Sequence, residues 1–304
     1  MKIAVTGGTG LLGIALGHSL RGTHEVALVG NTSTAVMEGC ASSAADIANR
    51  DSIHACLARI GPDAVVHAAA QTNVDYCEDH WKEAVRENVD GSANVASYCA
   101  KAGTKMVAVS TDYVFDGTKS FYTEDDSPHP LGRYAQSKLL GEQAARAETD
   151  DLAIVRTTMY GWNHRGKKNY AMYFLENLQA GNGIEAFADQ FNTPMLANDL
   201  ADAIKDLLER DSTGLFHAGC KNRVSRVQFA QTLASVFNLD GSLVAPISIR
   251  EKNFKSPRPP DASLDSSKLQ NETGRQTPTL SEGLGRFRQL IESGYKEEAK
   301  IVIE

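Results

Sequence analysis

Tyr134 and Lys138 are residue types suited to proton transfer, and they lie four positions apart where the apolar pattern predicts a helix. This spacing places both side chains on one helix face, one turn apart. A phenol with its ordinary pKa of about 10 exchanges protons poorly at neutral pH, and a nearby ammonium group favours the phenolate and lowers that pKa. The couple could therefore protonate a carbonyl oxygen while hydride arrives at the carbon.

Hydroxyl groups end the strand that precedes this helix. The apolar run from Met106 to Thr111 predicts a buried strand with Ser110 and Thr111 at its carboxyl end, where the crevice of a parallel sheet opens. We expect Thr111 to hydrogen-bond the substrate oxygen, with Ser110 as the alternative. A surface tyrosine without a role is the other interpretation of Tyr134, and it leaves this placement unexplained.

A glycine-rich turn near the N-terminus predicts a dinucleotide site. A short apolar strand ends at Val5, and Gly7, Gly10 and Gly13 follow before an apolar helical pattern begins. Gly7 allows the turn, Gly10 lets the backbone approach a pyrophosphate, and Gly13 lets helix and strand pack closely. The helix N-terminus adds amide donors. A glycine-rich turn without a ligand is the alternative.

The next strand end bears on the choice of cofactor. Residues 25–29 read as a second strand, and Gly30, Asn31, Thr32 and Ser33 follow it. An acidic residue here would favour NAD by binding the ribose hydroxyls. The chain has none, so NADP(H) is favoured over NAD(H), although no arginine is present there to bind the phosphate.

Composition limits the other possibilities. The 304 residues carry a formal net charge of −7, which argues against nucleic acid or an anionic membrane as the main partner. The five cysteines are scattered, which indicates reduced thiols in a cytoplasmic protein. No apolar run is long enough to span a bilayer. Cys77 and His80 match no zinc spacing, so we expect no metal.

The motifs carry a family resemblance. The Gly-x-x-Gly-x-x-Gly spacing resembles the short-chain dehydrogenase/reductase superfamily in its extended form. The sequence from Lys2 to about Leu290 resembles dTDP-4-dehydrorhamnose reductase and its relatives. The most specific part of this resemblance is the block Ser110-Thr-Asp-Tyr-Val-Phe-Asp-Gly117. Further segments that carry the resemblance are residues 62–75, 155–157, 189–194 and 258–265.

The resemblance implies an α/β fold, namely a doubly wound parallel (Rossmann) sheet with a smaller, interleaved C-terminal substrate lobe. The dinucleotide-binding domain would take residues 1–160, with 195–219 returning to it. The substrate lobe would take residues 161–194 and 220–304. From the residue pattern we also expect a long helix to about Lys101, a helix over 168–180, a loop over 246–260 and a C-terminal tail over 296–304.

The resemblance also implies site residues. The catalytic set is Thr111, Tyr134 and Lys138, with Asn88 supporting the proton relay. The cofactor-binding set is Gly7, Gly10, Leu11, Leu12, Gly13, Asn31, Thr32, Asp46, Ile47, Ala68, Ala69, Ala70 and Lys138. The substrate-binding set is Thr72, Val74, Asp112, Tyr113, Gln190 and Arg258. As alternatives, Asn88 would be solvent-exposed, Asp46 would be a solvated loop residue, and Arg258 would cap a helix or pair with Asp261.

The function implied is NAD(P)H-dependent reduction of the keto group of a nucleotide-linked deoxy-sugar. Tyr113 stands where related dehydratases have a glutamate, which argues against elimination. One alternative is a sugar-nucleotide epimerase or epimerase-reductase. The other is a non-catalytic NADP-binding regulatory subunit like that of methionine adenosyltransferase. The sugar is open, because the tryptophan that usually follows the Arg-Thr-Ser of relatives is missing after Arg156. A homodimer is an open possibility.

Overall fold

The computed structural model describes residues 1–166 and 169–303. The strands are β1 (Lys2–Thr6), β2 (Glu25–Gly30), β3 (Ser33–Met37), β4 (Cys40–Ala44), β5 (Ala64–His67), β6 (Lys105–Thr111), β7 (Leu152–Thr157), β8 (Met159–Tyr160), β9 (Ile184–Phe187), β10 (Phe191–Asn192), β11 (Met195–Leu196), β12 (Gly214–Ala218), β13 (Val224–Ser225), β14 (Val244–Ile247) and β15 (Ala299–Ile303). The helices are α1 (Leu11–Leu20), α2 (Arg50–Ile60), α3 (Val74–Asp79), α4 (Trp81–Val85), α5 (Gly91–Ala102), α6 (Arg133–Glu148), α7 (Tyr170–Gln179), α8 (Ala197–Glu209), α9 (Arg226–Phe237), α10 (Ser267–Thr273) and α11 (Leu280–Glu292). A π-helical turn, Arg86–Asp90, joins α4 to α5.

A seven-stranded parallel sheet forms the centre, in the order β12-β7-β6-β5-β1-β2-β4. The chain runs outward from β1 in one direction and then outward from β5 in the other. This reversal creates a crevice beyond the carboxyl ends of β1 and β5. The doubly wound α/β fold expected from the resemblance is confirmed.

Helices cover both faces of this sheet. Successive side chains of its strands point to opposite faces, and both faces are apolar. Ile3 and Val5 of β1 pack with α1 and α8, whereas Ala4 between them packs with α2 and α5. All three β1 side chains are fully buried. Burial on both faces is what a parallel strand requires, and it explains why the three central residues of β1, Ile3 to Val5, are all apolar.

A second apolar core lies outside the sheet. Leu175 of α7, Phe229 of α9 and Leu284 of α11 meet there, and β9 pairs with β14 beside them. Residues of α8 and β12 instead join the sheet core, as do Leu269 and Tyr295 from further along the chain. The domain limits inferred from the resemblance stay a prediction.

The expectation of a C-terminal tail over 296–304 is wrong for the part that the structure describes. Ala299–Ile303 forms β15, which pairs antiparallel with β3. Strands β3 and β4 were not expected either, because both are short and β3 pairs with a segment distant in sequence. The expected loop over 246–260 contains the last two residues of β14 and a short 3₁₀ turn, Ile249–Glu251.

Two helix expectations also change. The long helix expected to end near Lys101 is divided into α3, α4, the π-helical turn and α5. The helix expected over 168–180 begins at Tyr170 in the structure, after Asn169 caps its N-terminus, and position 168 lies outside the described residues.

The described part of the chain has neither a membrane-spanning helix nor a cluster of metal-binding side chains. None of its helices is long and apolar enough to cross a membrane. Within residues 1–166 and 169–303, no group of three or more histidine, cysteine or acidic side chains is placed to hold a metal ion. The five cysteines are free thiols, and four of them are buried.

Candidate active site

The structure brings Thr111 and Tyr134 into contact at the carboxyl end of β6. Tyr134 is the second residue of α6 and is half-buried, and its hydroxyl hydrogen-bonds the Thr111 side chain. The Tyr113 ring lies edge-on to the Tyr134 ring, with 6.5 Å between the centroids. A hydroxyl pair beside aromatic walls is suited to binding and protonating a carbonyl oxygen.

The environment sets the proton affinity of Tyr134 differently from the expectation. Burial raises the pKa of Tyr134 above its ordinary value of 10.0, the hydrogen bond with Thr111 opposes this, and the Asp112 carboxylate adds to it. Lys138 is not among the main causes of this shift, and its Nζ donates to the Val109 carbonyl oxygen at 2.9 Å. Burial also lowers the pKa of Lys138 to about 8, against an opposing effect of Glu142. Tyr134 is therefore fully protonated at neutral pH, as a proton donor must be.

Ser110, the alternative to Thr111, is engaged elsewhere. Its Oγ donates to Glu142 Oε1 at 2.5 Å. Arg156 binds the same carboxylate through Nε at 2.9 Å and Nη2 at 2.7 Å, and both members of this ion pair are buried. These hydrogen bonds offset part of the cost of burying the two charges, although Arg156 Nη1 is buried without a partner among the described residues. Of the two hydroxyls, Thr111 is the one that contacts Tyr134.

Asn88 is buried, so the solvent-exposed alternative is wrong. Only 1% of its surface is exposed, and its Nδ2 donates to Ser137 Oγ of α6 at 2.8 Å. Its Oδ1 accepts from the Gln71 backbone N–H at 2.8 Å. Asn88 sits in the π-helical turn, and this turn packs so closely on α6 that a Cβ on Gly141 would lie 2.3 Å from the Asn88 carbonyl oxygen. Asn88 thereby fixes the helix that carries Tyr134.

A buried histidine, which the sequence analysis missed, extends this network. His67 ends β5, with Nδ1 at 2.8 Å from Thr6 Oγ1 and Nε2 at 3.3 Å from Ser92 Oγ. Ser92 Oγ in turn donates to the Asn88 carbonyl oxygen at 2.7 Å. Burial lowers the pKa of His67 to about 3, and the Lys138 charge adds to this effect. The imidazole is neutral at neutral pH, and only its place at the end of an apolar strand could have drawn attention to it.

The glycine turn is packed too closely for side chains at Gly7 and Gly13. Gly7 has φ +72°, and a Cβ there would lie 2.7 Å from the Ala69 backbone nitrogen. A Cβ on Gly13 would lie 2.3 Å from the Gly7 carbonyl oxygen. Gly10 is the N-cap of α1. Because glycine has no side chain to cap the helix, the backbone N–H groups at this N-terminus could bind a ligand anion. These observations fit a dinucleotide cofactor.

The other residues predicted to bind the cofactor surround this turn. Leu12 is buried in the core, so only its backbone could contribute, and Leu11 is half-buried. Three half-buried alanines, Ala68, Ala69 and Ala70, follow β5. Asn31 and Thr32 are exposed after β2.

The predicted adenine-side residues are ordered by contacts of their own. Asp46 Oδ2 accepts from Arg86 Nη2 at 3.0 Å, and Asp46 Oδ1 accepts from the Ala48 backbone N–H at 2.9 Å. Asp46 is thus partnered rather than freely solvated. Ile47 packs so closely on Gly91 that a Cβ there would lie 2.8 Å from the Ile47 side chain.

The residues predicted to bind substrate are spread over several elements. Asp112 and Gln190 are buried, and Gln190 Nε2 donates to the Tyr113 hydroxyl at 3.3 Å. Val74 begins α3 and is half-buried, and Thr72, just before it, is exposed.

Arg258 pairs with Asp75, and neither alternative for it is found. Its Nη2 donates to Asp75 Oδ2 at 2.9 Å, while its Nη1 is buried without a hydrogen-bond partner. Asp261, the partner considered for it, instead accepts from Arg223 Nε at 2.5 Å. Within residues 1–166 and 169–303, no group accepts a hydrogen bond from this Nη1 atom.

Arg226 is a further residue that sequence reasoning missed. It begins α9, and its guanidinium carbon lies 3.9 Å from the centroid of the Tyr170 ring. Its charge interacts with Asp112 and Tyr113, and its Nη1 is buried without a partner. An arginine at the first position of a helix carries no signal of this in the sequence.

A protein-family model described as the RmlD substrate binding domain matches residues 1–292. The probable low-salt glycan biosynthesis reductase Agl14 of Haloferax volcanii is 30% identical over 289 residues, which cover 93% of this chain and 96% of that protein. Methionine adenosyltransferase 2 subunit beta of Bos taurus is 29% identical, over 91% of this chain and 84% of that subunit.

Among solved structures, dTDP-4-dehydrorhamnose reductase from Bacillus anthracis, in complex with NADP, superposes with a TM-score of 0.84. The sequence identity is 28%, and the match covers 95% of this chain and 98% of that one. The chain belongs to the RmlD substrate-binding domain family and is an NAD(P)-dependent oxidoreductase of the extended short-chain dehydrogenase/reductase type, in the subgroup that resembles dTDP-4-dehydrorhamnose reductase.

Proposed function

We propose that this protein uses NADPH to reduce the keto group of a nucleotide-linked deoxy-sugar similar to dTDP-4-dehydrorhamnose. The observation that carries the proposal is the contact between Thr111 and Tyr134 at the carboxyl end of β6. The same sheet edge holds the turn from Gly7 to Gly13, which fits a pyrophosphate. The similarity to a reductase that binds NADP supports the choice of substrate class and cofactor.

In this proposal each residue has a defined task. When substrate binds, the Thr111 hydroxyl turns from Asp112 Oδ1, to which it donates at 3.2 Å, to the carbonyl oxygen, and it orients this oxygen toward the Tyr134 hydroxyl. When bound, the reduced nicotinamide supplies a hydride to the carbonyl carbon. Tyr134 then gives its proton to the oxygen, and its high pKa is no obstacle, because an alkoxide is a stronger base than a phenolate. Lys138 would hold the nicotinamide ribose and stabilise the phenolate that remains.

The preference for NADPH rests on the loop after β2. Asn31 and Thr32 are exposed there, and no carboxylate in this loop would repel a 2′-phosphate. Gly7, Gly10 and Gly13 would hold the pyrophosphate, with Asp46 and Ile47 beside the adenine. The remaining cofactor residues proposed are Leu11, Leu12, Ala68, Ala69 and Ala70, through their backbone or small side chains.

A panel of keto-sugar nucleotides with NADPH and with NADH, followed at the nicotinamide absorbance, tests the proposal. We expect oxidation of NADPH in the presence of dTDP-4-dehydrorhamnose or a closely related keto-sugar, and a higher kcat/KM with NADPH than with NADH. Absence of oxidation across the panel would contradict the reductase proposal.

A regulatory role is the second candidate, and the similarity to the bovine methionine adenosyltransferase subunit favours it. Such a protein would bind NADP without turning over a keto-sugar. Tight NADPH binding, no oxidation across the panel and a change in the activity of a methionine adenosyltransferase on mixing would together favour this role.

Epimerase activity is the third candidate, because Asp112 provides a second titratable group beside Tyr134. Burial raises the pKa of Asp112 to about 7, with the Arg226 charge opposing. Proton NMR of the product in deuterated water distinguishes the cases. Deuterium on carbon next to the carbonyl, with an inverted centre, would show epimerisation, whereas a pure reductase incorporates none there.

A further inference from the structure

Glu142 is a buried carboxylate that no step of the proposed reaction uses. Only 5% of its surface is exposed. It lies on α6 four residues after Lys138, so the two side chains share one helix face, one turn apart. Burying a carboxylate is costly even when it is paired. An ion held in this way beside a predicted catalytic lysine is therefore a candidate for a role in the reaction.

The two side chains bind neighbouring residues of β6, which fixes how close they lie. Lys138 Nζ donates to the Val109 carbonyl oxygen at 2.9 Å. Ser110, the next residue of β6, donates through Oγ to Glu142 Oε1 at 2.5 Å. The ammonium and the carboxylate are therefore attached to adjacent points on one strand.

Arg156 of β7 holds the same carboxylate from a second strand. It donates through Nε to Glu142 Oε1 at 2.9 Å and through Nη2 to Oε2 at 2.7 Å. With the Ser110 hydroxyl, three donors thus bind Glu142, and hydrogen bonds to a carboxylate favour its ionised form. The negative charge of Glu142 is therefore fixed in one place, one helix turn from the Lys138 ammonium.

This charge opposes the effect of burial on Lys138. Burial lowers the pKa of Lys138 to about 8, and the Glu142 carboxylate raises it. His67, at the end of β5, interacts with the Lys138 charge but is itself neutral at pH 7. Of the charged side chains in residues 1–166 and 169–303, Glu142 is the one that raises the pKa of Lys138. The elements packed against α6 carry further titratable side chains, namely Cys77, Glu87, Asp112, Tyr113 and Arg156.

We propose that Glu142 is a positioning residue, whose fixed carboxylate keeps Lys138 in its ammonium form against β6. The inference rests on the proposed function, in which Lys138 holds the nicotinamide ribose and stabilises the Tyr134 phenolate. A neutral lysine lacks the charge that stabilises a phenolate. Glu142 thus acts on the reaction through Lys138, without touching the substrate.

The test is the titration of Lys138 itself, followed by NMR in protein labelled with ¹³C at the lysine Cε atoms. The Lys138 signal is identified by its absence from Lys138→Met. Glu142→Gln removes the effect that opposes burial, so the pKa of Lys138 should fall by about one unit. Glu142→Asp keeps the charge and should stay closer to the wild type. Glu148→Gln, at an exposed position of the same helix, should titrate as the wild type does.

A second variant covers the case in which Glu142→Gln does not fold, since that change leaves Arg156 as a buried charge without its partner. The double variant Glu142→Gln, Arg156→Gln removes both charges. Its Lys138 pKa should still lie below the wild-type value, but by less than in the single variant, because the repulsion from Arg156 is gone as well. Circular dichroism shows which variants are folded.

Kinetics connect this titration to the reaction. The decrease of kcat at high pH, measured with NADPH and dTDP-4-dehydrorhamnose, should move to lower pH in Glu142→Gln by the same amount as the pKa of Lys138. A Lys138 pKa equal to that of the wild type in the folded variants overturns the inference, as does a lowered pKa with an unshifted kcat profile. A lowered pKa in Glu142→Gln, with no turnover by the wild type, overturns the reductase proposal and supports the effect of Glu142 on Lys138.

Discussion

At the scale of single residues, burial shifts the pKa values of Tyr134 and Lys138 in opposite directions. Tyr134 is the only one of the three predicted catalytic residues whose pKa burial raises, whereas burial lowers that of Lys138 to about 8. A phenol that keeps its proton suits a reduction, in which the proton is needed only after the hydride has arrived, and a Lys138 pKa of about 8 still leaves this side chain mostly charged at neutral pH.

Replacing Tyr134 by Phe tests this assignment. Phe keeps the ring and removes the proton, so we expect kcat to fall roughly 10²–10⁴-fold while NADPH affinity is retained. Steady-state kinetics and a fluorescence titration of NADPH measure the two effects. Tyr173→Phe, at an exposed tyrosine of α7, is the matched control and should leave both unchanged. Undiminished turnover by Tyr134→Phe would remove Tyr134 from the mechanism.

His67 gives a prediction on stability. Its pKa of about 3 lies below the ordinary 6.5, so the unfolded chain binds more protons and the His67 contribution is lost as pH falls from about 6.5 toward 3. Asp112, with a pKa raised to about 7, acts in the opposite sense, since its contribution is lost as pH rises through this range. The Asp112 contribution is the same in the wild type and in a His67 variant, so the difference between their pH dependences reports on His67.

We expect His67→Asn to reduce the slope of the free energy of unfolding against pH by up to roughly 1.4 kcal/mol per pH unit between pH 4 and 6. Urea unfolding at several pH values measures this slope. His129→Asn, at an exposed histidine, is the control. Equal slopes for His67→Asn and the wild type would show that His67 is not held neutral by the fold.

Which site residues the sequence could predict depends on how their partners are arranged. Tyr134, Lys138 and Thr111 are predictable because a helix turn and a strand end place them by local rules. His67, Arg226 and the partner of Arg258 are not, since each depends on contacts between segments far apart in the chain.

At the scale of elements, the close packing of α6 on the π-helical turn positions the donor. Gly141 of α6 has no room for a side chain, because a Cβ would lie 2.3 Å from the Asn88 carbonyl oxygen. Asn88 in turn bonds Ser137, one turn before Gly141. A shift of either element would move Tyr134 relative to Thr111.

Gly141→Ala should therefore lower the free energy of unfolding by about 1–3 kcal/mol, as overpacking against fixed backbone does, and should reduce kcat. Gly285→Ala in α11 is the matched control, because nothing lies within 4 Å of its added Cβ. That variant should gain roughly 0.5–1 kcal/mol through helix propensity. Chemical unfolding of the two variants compares them, and equal effects would contradict the packing argument.

The elements themselves were predictable where their pattern is local and long. β1, α1, β6 and α6 follow from apolar runs, glycines and helical spacing. β3, β4 and β15 are short and depend on partners, and a π-helical turn has no distinct sequence pattern.

At the scale of the whole molecule, the C-terminal strand supports the cofactor side. β15 pairs with β3, and β3 directly follows Asn31 and Thr32, which are predicted to meet the adenosine ribose. Ala35 and Met37 of β3 are buried in the sheet core. β15 therefore holds in place a segment whose other end forms part of the proposed cofactor site.

Truncation after Glu298 should weaken NADPH binding and lower the free energy of unfolding by on the order of 2 kcal/mol through lost apolar burial. It keeps the Glu298 side chain, which binds His18 at 2.6 Å and Arg21 at 2.8 Å. Val302→Ser, at an exposed side chain of β15, is the control. Unchanged NADPH affinity after truncation would show that β15 does not support the cofactor site.

Size-exclusion chromatography of the wild-type protein would test whether it forms a homodimer.

The ion pair between Arg258 and Asp75 places a carboxylate of the protein where it would compete with an anionic ligand for Arg258. If Arg258 binds a diphosphate, the phosphate would compete with the Asp75 carboxylate, whose Oδ2 lies 2.9 Å from Arg258 Nη2. In that case a free sugar without phosphate would have no charge with which to displace the carboxylate, and the ion pair would favour the nucleotide-linked form. Relieving that competition by Asp75→Asn would tighten the hold on nucleotide sugars at the expense of this selectivity, and the rate of the chemical step would stay as it is.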